Sequence, residues 1–236
     1  MKHAADAAPD GMPSFRAVPF LSADALALTD RQREALTRIG TAVRPKARGL
    51  LYAGGAPAEA IFAVVAGVLK SYRDLPSGKR VVSTFLFPGD LCGLARRGRY
   101  VNTVRAITPS TLCRLPVAAL TALLKQDSDL QYQFLVKVMH ELRESQRRAV
   151  LMNRRDAAGR LATFLALMAE HQEPAAGRAI HVPMTRSDIA DFLGLSLESV
   201  SRATAELKAR RLARFETRHR VRILDEAGLA RLIGDV

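Results

Sequence analysis

Glu198, Ser201 and Arg202 bring a carboxylate, a hydroxyl and a guanidinium together within five residues. On a helix, Glu198 and Arg202 lie one turn apart with Ser201 beside them, so all three share a face. The edges of base pairs in a DNA major groove present the complementary groups: a carboxylate accepts from cytosine N4, a guanidinium forks onto guanine O6 and N7, and a hydroxyl adapts to either. A solvated helix face carries the same residue types for solubility alone. What separates the two readings is the chain that precedes these residues.

Thr185 and Asp188 stand in a capping-box relation with Asp in place of the usual Glu, and Ile189, Phe192 and Leu193 follow at helical spacing. A helix is therefore expected over 186–193. Gly194 comes directly after the last periodic residue, where a chain leaving a helix sharply needs the left-handed conformation that glycine adopts at least cost. Ser196 then caps a second helix. On that helix Val200, Ala203 and Leu207 recur at intervals of three and four and face inward, leaving Glu198, Ser201, Arg202 and Ala205 outside. Ala190, small enough for close helix approach, precedes the glycine by four residues, and Val200 follows it by six. This is the spacing of a helix-turn-helix. Beyond it, residues 213–215 and 221–224 alternate as a hairpin around Arg218-His219, a wing with a basic tip. Base reading is assigned to Glu198, Ser201 and Arg202. Phosphate contacts are assigned to Thr185, Ser196, Ser199, Arg218 and His219, with Ser196 and Ser199 acting partly through their helix N-terminus.

The bulk properties agree with a polyanionic partner, nucleic acid or an acidic membrane surface, and the placement of the arginines favours double-stranded DNA. The 236-residue chain has a formal net charge of +13, and Arg202, Lys208, Arg210, Arg211, Arg214, Arg218, Arg220 and Arg222 crowd around the reading helix. Its 48% hydrophobic content suits a globular protein, and its length suits two modest domains. Cys92 and Cys113 are the only cysteines, too few for a disulfide framework, so a reduced, cytoplasmic protein is expected. The first residues lack the apolar core of a secretory signal, and no run reaches membrane-spanning length, so no membrane partner is expected. No phosphate-cradling glycine loop, HExxH pair or nucleophile elbow occurs, and His3, His140, His171, His181 and His219 lack ligand spacing. Catalysis, a metal and a resident cofactor are not expected.

Around these residues the chain divides into four parts: an Ala- and Pro-rich arm (1–20), a β-rich domain (21–125), a long helix (126–153) and the winged helix-turn-helix (154–236). A short helix is expected over 29–39. From residue 44 to 115, short apolar runs alternate with turn residues, giving strands over 49–52, 60–66, 68–72, 80–87, 103–107 and 111–115. Pro76-Ser77-Gly78 and Pro88-Gly89-Asp90 supply turns. An antiparallel barrel or jelly roll follows, making the fold class α+β. Helical character returns over 116–124 and then over 130–152. There Leu135, Val138, Leu142, Ser145, Ala149 and Met152 alternate at intervals of three and four, the seam of a two-stranded coiled coil. A dimer interface is assigned to Leu135, Val138, Leu142, Ala149 and Met152; packing against the chain's own barrel is the alternative for this helix. A further helix over 157–169 carries Leu161, Phe164, Leu165 and Met168 as core, and a short strand is expected over 179–182.

This order of barrel, long helix and winged helix-turn-helix resembles the CRP/FNR family of bacterial transcription regulators. Glu198-Ser199-Val200-Ser201-Arg202 is similar to the Glu-x-x-Ser-Arg pattern of the FNR and FixK branch, which implies a palindrome of the TTGAT-N4-ATCAA type read by a homodimer. The resemblance also implies RNA polymerase as a partner and an activator's role. Pro88-Gly89-Asp90-Leu91-Cys92-Gly93 resembles a segment of the family's cyclic-nucleotide-binding barrel. The ligand residues do not follow it: Leu94 stands where nucleotide-binding members carry a Glu, and Tyr100-Val101 where they carry an Arg-Ser or Arg-Thr pair. The arm holds no cysteines for an iron–sulfur cluster. The resemblance therefore implies a regulator working without cyclic AMP. The alternative is one of the same family gated by a cyclic nucleotide, by haem on His140 or Cys92, or by oxidation of Cys92.

Overall fold

The computed structural model describes residues 28–152, 156–172 and 179–234; the arm assigned to residues 1–20 lies outside the described residues. Helix α1 (Asp30–Ile39) begins at Thr29, whose hydroxyl accepts from the Gln32 N–H at 3.3 Å while the Gln32 side chain accepts the Thr29 N–H at 3.0 Å. This capping box satisfies donors that the first turn leaves free.

The β-rich part consists of two antiparallel sheets. One has the order β1 (Thr41–Val43), β10 (Thr111–Pro116), β3 (Ala60–Ala66), β6 (Leu91–Cys92). The other has the order β2 (Leu50–Tyr52), β9 (Thr103–Ala106), β4 (Leu69–Asp74), β5 (Arg80–Leu86). A small hairpin, β7 (Ala95–Arg96) and β8 (Arg99–Tyr100), completes the barrel. Between β4 and β5 the expected Pro76-Ser77-Gly78 turn is present, with Gly78 at φ 79°. Phe62, Val64, Leu69, Leu86, Val104 and Leu112 fill the space between the sheets. Each such burial contributes roughly 1.5–3 kcal/mol. Strands β1, β6, β7 and β8 were not among the expected ones.

Helix α2 (Val117–Gln126) and the long helix α3 (Ser128–Met152) follow. One face of α3 packs on the barrel through Leu130 and Phe134, with Lys137 buried and its ammonium 2.7 Å from Glu141. The opposite face is apolar and open: Leu135 and Leu142 are more than half exposed, and Val138, Met139 and Tyr132 lie beside them. So α3 does pack on its own barrel, yet the seam assigned from sequence is not the face it uses. The side chains of Ala149 and Met152 lie outside the described residues.

In the C-terminal part, α4 (Ala157–Glu170) buries Leu161, Phe164, Leu165 and Met168, as its spacing predicts. Then come β11 (Ile180–His181), α5 (Arg186–Leu193), α6 (Leu197–Ala209), β12 (Ala213–Phe215), β13 (Arg220–Ile223) and α7 (Glu226–Ile233). The three strands form a sheet of order β11-β13-β12, the wing. Helix α7, capped by Asp225, was not anticipated. The core of this part is continuous with barrel residues: Val68, Tyr72, Val82, Phe85 and Phe87 belong to the same buried cluster as Phe164, Ile189 and Val200. The β-rich and C-terminal parts thus share a core that sequence spacing did not reveal.

Candidate nucleic-acid interface

The start of α5 is fixed by reciprocal bonds. Thr185 Oγ1 accepts from the Asp188 N–H at 3.1 Å, and Asp188 Oδ2 accepts the Thr185 N–H at 3.2 Å and the Thr185 hydroxyl at 2.8 Å. Aspartate thus performs the glutamate's part in the box, one methylene shorter. At the other end Gly194 lies at φ 64°, and a Cβ placed there would meet the Arg160 guanidinium at an ordinary contact distance of 3.7 Å. Backbone conformation, rather than crowding, requires glycine there. Arg160 of α4 donates to the Leu193 carbonyl at 2.9 Å, satisfying one of the acceptors that end the helix.

Helix α6 is capped by Ser196, whose hydroxyl accepts from the Ser199 N–H at 3.1 Å and lies 2.9 Å from the Ser199 hydroxyl. Val200, Ala203 and Leu207 are buried beneath it. Glu198, Ser201 and Arg202 are exposed on the opposite face, with Arg202 and Glu198 side chains 73% and 77% exposed. Their charged atoms stand 3.8 Å apart along one turn. The pair holds the guanidinium close to the helix while leaving its donors accessible. The three residues assigned to base reading therefore converge on one open surface, as their spacing predicts.

Of the residues assigned to phosphates, Ser196 and Ser199 stand at the N-terminus of α6, and Thr185 and Arg218 line a groove. A groove of about 560 Å³ runs between the start of α5 and the wing, lined by Thr185, Arg186, Leu197, Lys208, Thr217 and Arg218. Thr185 and Arg218, 33 positions apart in sequence, face one groove, and Arg186 joins them. Sequence reasoning passed over Arg186, because helical position alone gives no sign that it faces the wing. Lys208 stacks its ammonium 5.5 Å from the centre of the Phe215 ring. Glu216 holds the wing's strands together, 2.6 Å from Arg222 and 3.7 Å from Arg214; the Arg222 hydrogen bond keeps its carboxyl below the usual carboxylate range. Part of the cationic crowd is thus internally paired, and Arg218 at the wing tip is exposed. His219 is placed differently: it is half-buried, with Nδ1 3.0 Å from the Val182 carbonyl, leaving Nε2 as the remaining ring nitrogen. Its ring centre lies 6.2 Å from that of His181. Burial first, then His219 and Arg220, keep the His181 pKa below its ordinary value.

Inside the barrel, Tyr100 is buried and stacks on Tyr52 with ring centres 3.9 Å apart. Its hydroxyl donates to the Ala60 carbonyl at 2.9 Å. Burial raises the Tyr52 hydroxyl well above its ordinary range. Leu94 is exposed at the start of the β7–β8 hairpin. Cys92, the residue assigned a possible redox role, lies in β6. It is buried between strands, and burial pushes its thiol up to about 12, the opposite of the accessible, acidic thiolate that oxidation switching requires. Among the described residues no group of three or more His, Cys, Asp or Glu is placed to hold a metal ion, and no helix is long and apolar enough to cross a membrane.

Comparison with known proteins places this geometry. Residues 159–232 match the Crp-like helix-turn-helix domain, and residues 43–127 match the cyclic nucleotide-binding domain. The chain is 30% identical over 182 residues to the nitrogen fixation regulation protein FixK of Rhizobium meliloti, covering 77% of this chain and 82% of that one. It is 28% identical over 214 residues to the transcriptional activator protein Anr of Pseudomonas aeruginosa, covering 89% and 87%. Among solved structures, FixK2 from Bradyrhizobium japonicum superposes with a TM-score of 0.77 at 28% identity, covering 84% of this chain and 99% of that one. With a nucleotide-binding-type barrel, a long helix and an exposed Glu-x-x-Ser-Arg face on a winged helix-turn-helix, the chain belongs to the CRP/FNR family of transcription regulators.

Proposed function

We propose that this regulator is a homodimeric transcription activator that reads a palindrome of the TTGAT-N4-ATCAA type and needs no cyclic nucleotide. The observation that carries the reading is the exposed face of α6, where Glu198, Ser201 and Arg202 stand together above a buried Val200-Ala203-Leu207 stripe. In this reading Arg202 forks onto guanine, Glu198 accepts from cytosine N4, and Ser201 adapts between them. Thr185, Ser196, Ser199, Arg218 and His219 hold the flanking phosphates and set the register. Arg186 and Lys208, in the same groove as Thr185 and Arg218, extend that track.

Dimerisation is supported by the open apolar stripe of α3, in which Leu135, Val138 and Leu142 lie on the face away from the barrel. Two-fold symmetry in the protein corresponds to a palindrome whose half-sites lie one duplex turn apart. Independence from cyclic nucleotide is supported by the Tyr52–Tyr100 stack, which occupies barrel interior with apolar rings and offers a cyclic phosphate no cation. The relative Anr is a transcriptional activator protein, and by analogy with it RNA polymerase is the second macromolecular partner.

The test is selection of bound duplexes from a random pool by the purified protein, with and without cyclic AMP. A TTGAT palindrome enriched equally in both conditions is expected. Enrichment only with cyclic AMP, or of unpaired half-sites, would refute the ligand or the dimer part respectively.

A further inference from the structure

We propose that the β4–β5 hairpin of the barrel is a clamp that fixes the orientation of the helix-turn-helix, with Lys70 and Phe85 as positioning residues for DNA reading. The inference rests on the DNA reading proposed above. Lys70 and Phe85 are cross-strand partners in β4 and β5, and both reach the C-terminal part. The Lys70 ammonium pairs with Asp188 Oδ1, and both side chains are nearly buried, 13% and 9% exposed. The other Asp188 oxygen takes the Thr185 N–H and hydroxyl at the start of α5. One carboxylate thus joins the barrel to the cap of a helix that lines the phosphate groove.

Around that pair the contact is aromatic. The Phe85 ring centre lies 5.1 Å from Phe192 of α5 and 6.0 Å from Phe164 of α4, and Phe87 stacks on His171 at 4.1 Å. Such rings in contact contribute beyond simple area burial and prefer defined geometries. A buried ion pair is directional in a way that an apolar contact is not, so it selects one orientation among those the aromatic cluster permits. In that orientation Glu198 and Arg202 remain exposed, so the clamped arrangement leaves the reading face free.

The functional consequence concerns spacing. A dimer reading two half-sites must hold its two α6 helices about one duplex turn apart. An unclamped reading head samples several orientations, so affinity for a palindrome falls with the fraction of dimers whose two heads are in register, whereas one head on a half-site needs no register. If that fraction falls to about one tenth, binding to a palindrome weakens roughly tenfold, while rival spacings are disfavoured less.

The experiment uses full-length wild type, Lys70→Met, Lys70→Arg and Phe85→Ala, each checked for a cooperative melt. Affinities are measured on the best duplex selected from a random pool, on the same duplex with its spacer two bases shorter or longer, and on a single half-site. Lys70→Met and Phe85→Ala should lose palindrome affinity by about tenfold or more, change little on the half-site, and flatten the spacing preference. Lys70→Arg should restore it. Should Phe85→Ala fail to fold, Lys70→Met decides. A folded Lys70→Met protein that keeps the wild-type spacing preference, or that loses half-site and palindrome affinity alike, overturns the clamp. Hydrogen exchange of residues 185–193 in free protein separates this from the DNA reading. If wild type selects no duplex, the function proposed above fails, whereas unchanged exchange in Lys70→Met refutes the clamp itself.

Discussion

Replacing Arg202 with Ala should abolish discrimination at one base pair of each half-site while leaving the fold intact. The structural cost is small. The Arg202 side chain is 73% exposed and its only ion-pair partner among the described residues is Glu198 at 3.8 Å, also exposed. Exposed pairs one helical turn apart are worth about 0.3–0.5 kcal/mol, and alanine's high helix propensity offsets part of that. The binding cost is larger. A bidentate guanidinium–guanine contact contributes roughly 1–3 kcal/mol of discrimination per base pair. In a dimer the two reading heads are too far apart to couple directly, so the losses add to about 2–6 kcal/mol. At about 1.4 kcal/mol per tenfold, the affinity for the palindrome should fall by a factor between roughly 30 and 20,000. Fluorescence anisotropy on four duplexes, with each base pair in turn at the guanine position, measures this directly. Wild type should prefer guanine strongly and Arg202→Ala should bind all four alike. If Arg202→Ala still discriminates among the four duplexes, or weakens specific and random DNA equally, the guanidinium is not a base reader.

Other substitutions separate the remaining roles. Arg218→Ala, at the exposed wing tip, should weaken every sequence to the same degree and lower the salt dependence of binding by about one counterion per site, read from affinity against salt concentration. Leu142→Asp places a charge in the open stripe of α3 and should yield a monomer by sedimentation, with palindrome binding reduced to that of a half-site. For Cys92 the sign follows from linkage. Its folded thiol lies near 12, above the ordinary value of 9.0, so its stabilising contribution is fully present below pH 9 and is lost as pH rises toward 12. The slope for one such proton is at most about 1.4 kcal/mol per pH unit, and denaturant titrations of wild type and Cys92→Ala between pH 8 and 10.5 should diverge accordingly. Parallel curves would show that the buried thiol does not resist ionisation.

The candidate DNA-reading surface was legible in sequence because its determinants are local. The Thr185–Asp188 box, the φ 64° turn at Gly194 and the Ser196 cap each involve residues at most four apart, and helical periodicity then assigns Val200 inward and Arg202 outward. The same logic found most of the longer strands and the hairpin turn at Gly78. It failed for β1, β6, β7 and β8 and for α7, whose short amphipathic run was not singled out. For α3 it identified the open stripe at Leu135, Val138 and Leu142 without revealing that Leu130, Phe134 and Lys137 occupy the barrel side.

Tertiary structure alone decided what stands across long stretches of chain. Lys70 and Asp188 meet over a separation of 118 residues, and neither position carries a sign of the other, since ion-pair partners can be any opposite charges. Tyr100 read as a missing phosphate ligand until its ring was found on Tyr52, where stacking gives the departure a structural role. The burial that raises the Cys92 thiol is likewise invisible in sequence, because desolvation depends on every neighbour and on no local pattern. Local hydrogen-bond geometry and helical period were therefore enough to identify the exposed face of α6 that is proposed to meet DNA. Its orientation on the barrel and the filling of the barrel's interior depend on non-local packing, which only the folded chain displays.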